Sequence, residues 1–357
     1  MMKIGLFTSD SVFNKNRMFD INDSKVNRDN IIYPYYLLRE NLIKEKVEFN
    51  TLDFYENYEE LDAIFFFKLD FQELYKILKS DFHGKLIYFA WEPPVVSREN
   101  SPKKLKGIEH FFHYIMTWND EIIDNEKYFK INIPQYFDDR VDFTRLKTIK
   151  DKKLLVSISM DKSSSHPDEL YGERKKVISH FEINDFNDFD FYGMLWEKNR
   201  YKNYKGSCES KAEIYTNYRF ALCFENMKNV KGYISEKIFD CFRSGIIPIY
   251  YGAENVSDYI PEHCYIDYSK FKNIHQVYDY ISNIDQSTYN GILNRIIAFL
   301  ESDARKVFEE GFLRKQIIRV INKDHQPLKL SGWDALSLSG YCHMKSLKAI
   351  WRRTKAN

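Results

Sequence analysis

Residues 226–237, NMKNVKGYISEK, combine features that suit a phosphate-bearing ligand. Gly232 can let a backbone approach a ligand closely. The segment then runs into a helix whose first turn holds Ser235, Glu236 and Lys237. A helix start offers unpaired N–H groups and the positive end of the dipole, where phosphate binds well. Lys237 adds a full positive charge, and Glu236 can accept hydrogen bonds from sugar or ribose hydroxyls. The plainer alternative is a capped amphipathic helix with Glu236 and Lys237 on its solvent face. Glu92 ends a strand-like run between Trp91 and Pro93. Apolar neighbours raise a carboxylate pKa toward the range useful for taking up a proton. A structural carboxylate at a strand end is the competing reading.

Other residue sets speak against metal and thiol chemistry. Asp188-Phe189-Asp190 is a literal D-x-D, a pattern that can hold a divalent ion under a diphosphate. Here it leads into an apolar strand whose alternation points both aspartates to one face, and it is not read as a metal site. His110 and His113 lack a third ligand or orienting acid nearby and are read as structural. The five cysteines, Cys208, Cys223, Cys241, Cys264 and Cys342, include no C-x-x-C pair. They read as free thiols of a reducing compartment.

The elements that must position these residues alternate. Strand patterns at 3–8, 47–52, 61–67, 85–91, 114–118 and 128–133 are interleaved with helical spacing at 32–46 and 71–78. A charged segment, 142–153, reads as a linker. A second series follows, with strands at 154–158, 189–193, 220–225 and 246–252 and helices at 169–181, 211–215 and 234–243. Helical periodicity returns at 274–284, 289–300 and 304–321. Strand–helix–strand alternation implies parallel sheets covered on both faces. Two doubly wound halves around a cleft are expected, with ligands outside the carboxyl ends of the strands.

Bulk properties narrow the class. Apolar residues at 44% and charged residues at 29% give a globular balance, and a net charge of +1 leaves no basic excess for nucleic acid. The start of the chain lacks the apolar run of a signal peptide, and no stretch approaches ~18 apolar residues in a row. A cytoplasmic location is expected. Residues 341–357 carry Lys345, Lys348, Arg352, Arg353 and Lys355 without an acid, with Met344, Leu347 and Trp351 at helical spacing. Such a helix can lie on an anionic membrane, the inner face of the cell membrane here, or pack on the protein.

The stretch 220–261 closely resembles the signature of the α-1,3/4-fucosyltransferase family, glycosyltransferase family 10, in its bacterial form. Phe220, Phe224-Glu225-Asn226, Gly232-Tyr233-Ile234-Ser235-Glu236-Lys237 and Ile247-Pro248-Ile249-Tyr250-Tyr251-Gly252 match its order and spacing. The resemblance extends to Gly172-Glu173-Arg174-Lys175-Lys176, Asp190-Phe191-Tyr192-Gly193 and Tyr88-Phe89-Ala90-Trp91-Glu92. Pro93 stands where the family more often has serine. The bacterial family's basic tail also matches residues 341–357.

The resemblance implies a GT-B-like fold with Rossmann-like domains at 1–146 (acceptor side) and 151–325 (donor side), followed by a basic tail at 326–357. It implies an inverting enzyme that moves fucose from GDP-fucose to a glycan or glycolipid acceptor with no metal or other cofactor. Arg174 and Lys237 are then the diphosphate ligands, and Glu92 is the general base. Asn226, Tyr233, Ser235 and Glu236 are further donor-site residues. For Arg174 the alternative is a solvated helix position. The same residues would serve another nucleotide sugar equally well. A catalytically inactive glycan- or nucleotide-binding protein is the reading from another class, and nucleic-acid binding is the most distant.

Overall fold

The computed structural model describes residues 1–137, 149–184 and 187–328, with 332, 338 and 340. The first half forms a six-stranded sheet from β1 (Met2–Phe7), β2 (Val47–Thr51), β3 (Ala63–Phe66), β4 (Lys85–Ala90), β5 (Tyr114–Thr117) and β6 (Tyr128–Lys130). The order is β2-β1-β3-β4-β5-β6, and every pair is parallel. All four residues of β3 are buried. A central strand covered on both faces has no polar side to alternate with, which is why 63–67 reads as an unbroken apolar run. Ile4, Phe65, Ile87 and Phe89 face α1 (Tyr33–Lys44) through Leu38 and Leu42. Ile64, Phe66, Leu86 and Tyr88 face α2 (Phe71–Lys79) and α3 (Pro102–Ile108) through Leu74, Ile77 and Leu105.

The second half forms a five-stranded parallel sheet from β7 (Lys153–Ile158), β8 (Phe189–Tyr192), β9 (Tyr218–Phe224), β10 (Ile247–Tyr251) and β11 (Ile266–Asp267), in the order β11-β10-β9-β7-β8. Its helices are α4 (Tyr171–Ile183), α5 (Lys211–Tyr215), α6 (Glu236–Arg243), α7 (Ile274–Ser282) and α8 (Gln286–Glu301), joined in one apolar core. The order reverses between β7 and β9. That switch point opens a crevice beyond their carboxyl ends, where doubly wound sheets bind ligands.

Several boundaries differ from the sequence reading. The helix expected over 304–321 is two elements, a 3-10 stretch at Asp303–Phe308 and α9 (Glu310–Ile321). Glu309 between them is extended, at φ −91° and ψ 162°. Helix α9 does not pack with the second half, where the expected 151–325 unit had put it. Leu313, Ile317, Val320 and Ile321 join the first sheet's core beside α1. Helix α3 went unread because three lysines in PKKLKGI mask the single buried Leu105. Within the expected linker, 142–148 lie outside the described residues, and Ile149–Asp151 form a 3-10 turn leading into β7. The basic segment 341–357 also lies outside them. No helix among the described residues is long and apolar enough to cross a membrane.

Candidate active site

Glu92 follows β4 and projects into the cleft from the first half. Its loop is fixed by buried polar contacts. The Asn100 Nδ2 donates to the Glu92 carbonyl at 2.7 Å, and the Tyr88 hydroxyl in turn donates to Asn100. The Trp118 Nε1 donates to the carbonyl of neighbouring Trp91 at 2.7 Å. Trp91 itself stacks on Phe89, with ring centres 5.0 Å apart. The Glu92 side chain is exposed to the open cleft, yet both walls displace enough water for desolvation to be the largest influence on it. Its pKa is raised above the ordinary carboxylate value. Lys237 opposes that rise, Glu236 adds to it, and Lys162 and Lys68 oppose it. Two of these neighbours belong to α6 of the other half, so the cleft brings the expected base and the expected donor residues into one electrostatic neighbourhood.

Across the cleft, β9 is followed by Glu225, a carboxylate with no solvent exposure. It accepts from the Ser235 backbone N–H at 2.8 Å, from the Ser235 hydroxyl at 2.6 Å and from Lys237 Nζ at 3.3 Å. The sequence reading quoted Glu225 in its motif and gave it no role. The only signal available was an acid placed directly after an apolar strand. Buried charge of this kind persists when it is paired and hydrogen-bonded. Ser235 caps α6, accepting from the Lys237 N–H, and also receives Lys237 Nζ at 2.9 Å. Its polar capacity is used in shaping the helix start.

Lys237 also lies 3.6 Å from a Glu236 oxygen. Burial works against the charge on Lys237, but Glu236 and Glu225 outweigh it and raise its pKa, with Arg174 and Lys211 pulling the other way. Burial would raise the Glu236 carboxyl. Lys237, then Lys211, then the helix-start N–H and Ser235 hold it down to about 2. Lys211 is itself anchored to the Asp240 carboxylate at 2.7 Å, one turn along α6 from Glu236. It is a donor-side cation that the sequence reading did not single out.

Arg174 is 8% exposed, so it is not a solvated helix residue. Its Nη2 donates to the carbonyls of Phe224 and Glu225, both at 2.6 Å, and to Asn226 Oδ1 at 3.2 Å. Its guanidinium carbon lies 5.2 Å from the Tyr171 ring centre. Asn226 reaches the Tyr233 hydroxyl at 3.4 Å, and Tyr233 is buried against Trp118 with ring centres 4.9 Å apart. Tyr35 on α1 was also missed, and nothing in its aromatic neighbourhood marks it out. Its ring meets Trp91 edge-on, with centres 6.3 Å apart, and burial, then Glu92 and Glu236, raise its pKa.

Gly232 does not do what its sequence position suggested. At φ +86° it brings the loop against the first half, and a Cβ there would lie 2.3 Å from the Trp118 carbonyl oxygen. The close approach seen at Gly232 is to Trp118, Asp120 and Lys130 of the first half. The D-x-D aspartates are engaged as well. Asp190 pairs with Lys153 at 2.7 Å and Lys205 at 3.2 Å, and Asp188 accepts from the Tyr278 hydroxyl at 3.0 Å. Two ammonium groups on Asp190 leave it a poor cation ligand. His113 accepts the Leu86 N–H at Nδ1 and meets the Gln326 carbonyl through Nε2. Burial lowers its pKa to about 4, a structural neutral imidazole.

A family description, the C-terminal domain of glycosyltransferase family 10 (fucosyltransferase), matches residues 149–291. The match to glycosyltransferase family 10 is confined to this segment. The matched segment contains α4, α5, β9, the 225–235 loop and α6, which together supply the donor-side residues above. An α-(1,4)-fucosyltransferase of Arabidopsis thaliana is 41% identical over 69 residues, which is 19% of this chain and 17% of that protein. The α-(1,3)-fucosyltransferase FucT of Helicobacter pylori is 38% identical over 73 residues, 20% of this chain and 15% of that one. These alignments span under a fifth of each relative. A crystal structure of an α1,3-fucosyltransferase with GDP-fucose superposes at a TM-score of 0.53 and 15% identity, covering 92% of this chain and 93% of that one. The fold is GT-B-like, two Rossmann-like halves facing a central cleft.

Proposed function

We propose that this protein is an inverting glycosyltransferase that moves fucose from GDP-fucose to a hydroxyl of a glycan. The observation that carries the reading is that Glu92 of one half lies within electrostatic reach of Lys237 and Glu236 of the other, across a single cleft. In the reaction the Glu92 carboxylate takes the acceptor hydroxyl proton. The acceptor oxygen forms its bond to the anomeric carbon as the carbon–oxygen bond to the diphosphate breaks. GDP leaves with the bonding electrons, and one displacement inverts the anomeric centre.

Arg174, Lys237 and the amino end of α6 hold the diphosphate and stabilise its growing charge. Glu236, kept ionised, suits ribose hydroxyls or the positive charge developing on the sugar ring. Asn226 and Tyr233 complete the donor wall, while Ser235 and Glu225 fix Lys237. Two cationic side chains beside one helix start can replace a divalent ion, and we propose that no metal is required. The GDP-fucose of the superposed fucosyltransferase supports the choice of donor. A glycan or glycolipid acceptor fits the open, aromatic cleft of the first half. We place the protein in the cytoplasm, in keeping with the free thiols at Cys208, Cys223, Cys241 and Cys264. The basic segment 341–357 would hold it to an anionic membrane surface.

Calorimetry with GDP-fucose and UDP-glucose, with and without chelator, tests the reading alongside a transfer assay. GDP-fucose is expected to bind equally well with chelator present. Lys237→Ala should weaken it at least tenfold. Glu92→Gln should cut transfer by about 100-fold or more while binding GDP as well as the parent. Chelator-sensitive binding, or full transfer by Glu92→Gln, overturns the mechanism.

A further inference from the structure

One side chain touches both the loop that bears Glu92 and the loop that forms the donor wall. Trp118 follows β5 and is 2% exposed. Its Nε1 donates to the Trp91 carbonyl, one residue before Glu92, at 2.7 Å. Its ring packs on Tyr233 with centres 4.9 Å apart. Its carbonyl oxygen lies 2.3 Å from where a Cβ on Gly232 would stand, and it accepts from Lys130 Nζ at 2.7 Å.

A polar cluster locks that junction. Lys130 pairs with Asp120 at 2.6 Å. Asp120 accepts from Asn255 Nδ2 at 2.9 Å and from the Tyr259 hydroxyl at 2.8 Å. Asn255 Oδ1 accepts the Gly232 N–H at 2.8 Å, and the Asp120 N–H donates to the Lys231 carbonyl at 3.2 Å. Contact through Trp118 therefore runs in both directions, toward residues 91–92 through the indole N–H and toward residues 231–233 through the ring and the carbonyl.

We propose that Trp118 is a positioning residue that couples occupation of the donor site to the placement of Glu92. The inference rests on the functional reading above, in which GDP binds against 226–237. Nucleotide that orders the Tyr233 loop also orders Trp118, and Trp118 holds the Trp91 carbonyl and with it the start of the Glu92 loop. The base is then set in place when a donor is present. Trp118 touches neither substrate nor reacting atoms in this scheme.

Trp118→Phe keeps a ring for Tyr233 and removes the N–H given to Trp91. Amide exchange on the parent protein, with GDP as the probe, should show protection at 226–237 and also at 91–101. In Trp118→Phe the first should remain and the second should be lost. GDP affinity should stay within about threefold while kcat for transfer falls about tenfold, the loss of one well-placed hydrogen bond. Unaltered protection at 91–101 with kcat within twofold of the parent overturns the proposal. So does a parallel loss of GDP affinity and of the urea midpoint, which marks a plain structural brace. Glu92→Gln run beside it separates the two ideas. A silent Trp118→Phe next to an inactive Glu92→Gln removes the coupling alone, an active Glu92→Gln removes the base, and a parent that does not bind GDP removes the reading and this inference with it.

Discussion

Glu92 and Glu236 are the same side chain driven in opposite directions by their surroundings. Desolvation leads at both, but at Glu236 two lysines, a helix start and Ser235 outweigh it, whereas at Glu92 the influence of Lys237, Lys162 and Lys68 does not overcome it and Glu236 adds to it. For Glu236 the folded pKa lies below the unfolded value, so its stabilising contribution is full above ~4.3 and is lost as pH falls toward about 2. For Glu92 the sign is reversed, since the raised pKa means that protonation favours the fold. A base works only when ionised, so transfer should decline as pH falls through that raised pKa. A pH profile of kcat/KM should place its acid limb above the ordinary glutamate range. Glu236→Gln removes a negative neighbour and should move the limb to lower pH, whatever it does to the plateau. A limb that stays put in that variant, or one at the ordinary glutamate value in the parent, would count against Glu92 as the base. At this scale the sequence was most legible where a charge closes an apolar run. It was least legible for Tyr35 and Trp118, whose partners lie dozens of residues away, and for Glu225, whose partners Ser235 and Lys237 lie across a loop.

The element that does most to build the site is the loop between β9 and α6. It leaves the sheet at a buried carboxylate, passes the first half at Gly232 and enters α6 through the Ser235 cap. Gly232→Ala tests how firmly that path is set. At φ +86° an L side chain is strained, and the added carbon would meet a backbone oxygen that cannot swing away. The substitution should cost about 2 kcal/mol or more, read as a lower urea midpoint, and should weaken GDP binding because the Tyr233 wall moves with it. Parental stability in that variant would show that the two halves are not tightly joined at this contact. The loop's order and spacing were visible in the sequence, because the pattern of apolar strands, Gly232 and the Ser235-Glu236-Lys237 start is local. The other surface that Gly232 meets was not visible, since nothing in a glycine says whether a ligand or a second domain approaches it. The same limit explains 304–321. Helical spacing runs through the whole stretch, and the break at Glu309 is imposed by the turn back onto the first sheet.

At the scale of the molecule, the chain builds the first half, builds the second, and returns to the first. Two doubly wound halves follow from alternating strand and helix patterns. The return does not, because an amphipathic helix shows that it has an apolar face and not which core will receive it. Helix α9 sends Leu313, Ile317, Val320 and Ile321 into the core shared by β1, β3, β4 and α1. The Lys85 ammonium donates to the Ile321 carbonyl, and Arg314 pairs with Glu310 at 2.9 Å and with Glu45 just beyond α1. The two halves are thus joined at the Trp118–Gly232 junction beside the cleft and through the chain that carries α9. Leu313 is 1% exposed, so Leu313→Ala should leave a cavity and cost about 2–5 kcal/mol. If α9 belongs to the first half, amide exchange should quicken in β1, β3 and β4 and remain slow in β9 and β10. Ile281→Ala in α7, at a fully buried position of the second core, should give the reverse pattern. Loosening of β9 and β10 by Leu313→Ala would mean that α9 is bound to its neighbours in sequence, and that the base-bearing half stands without it.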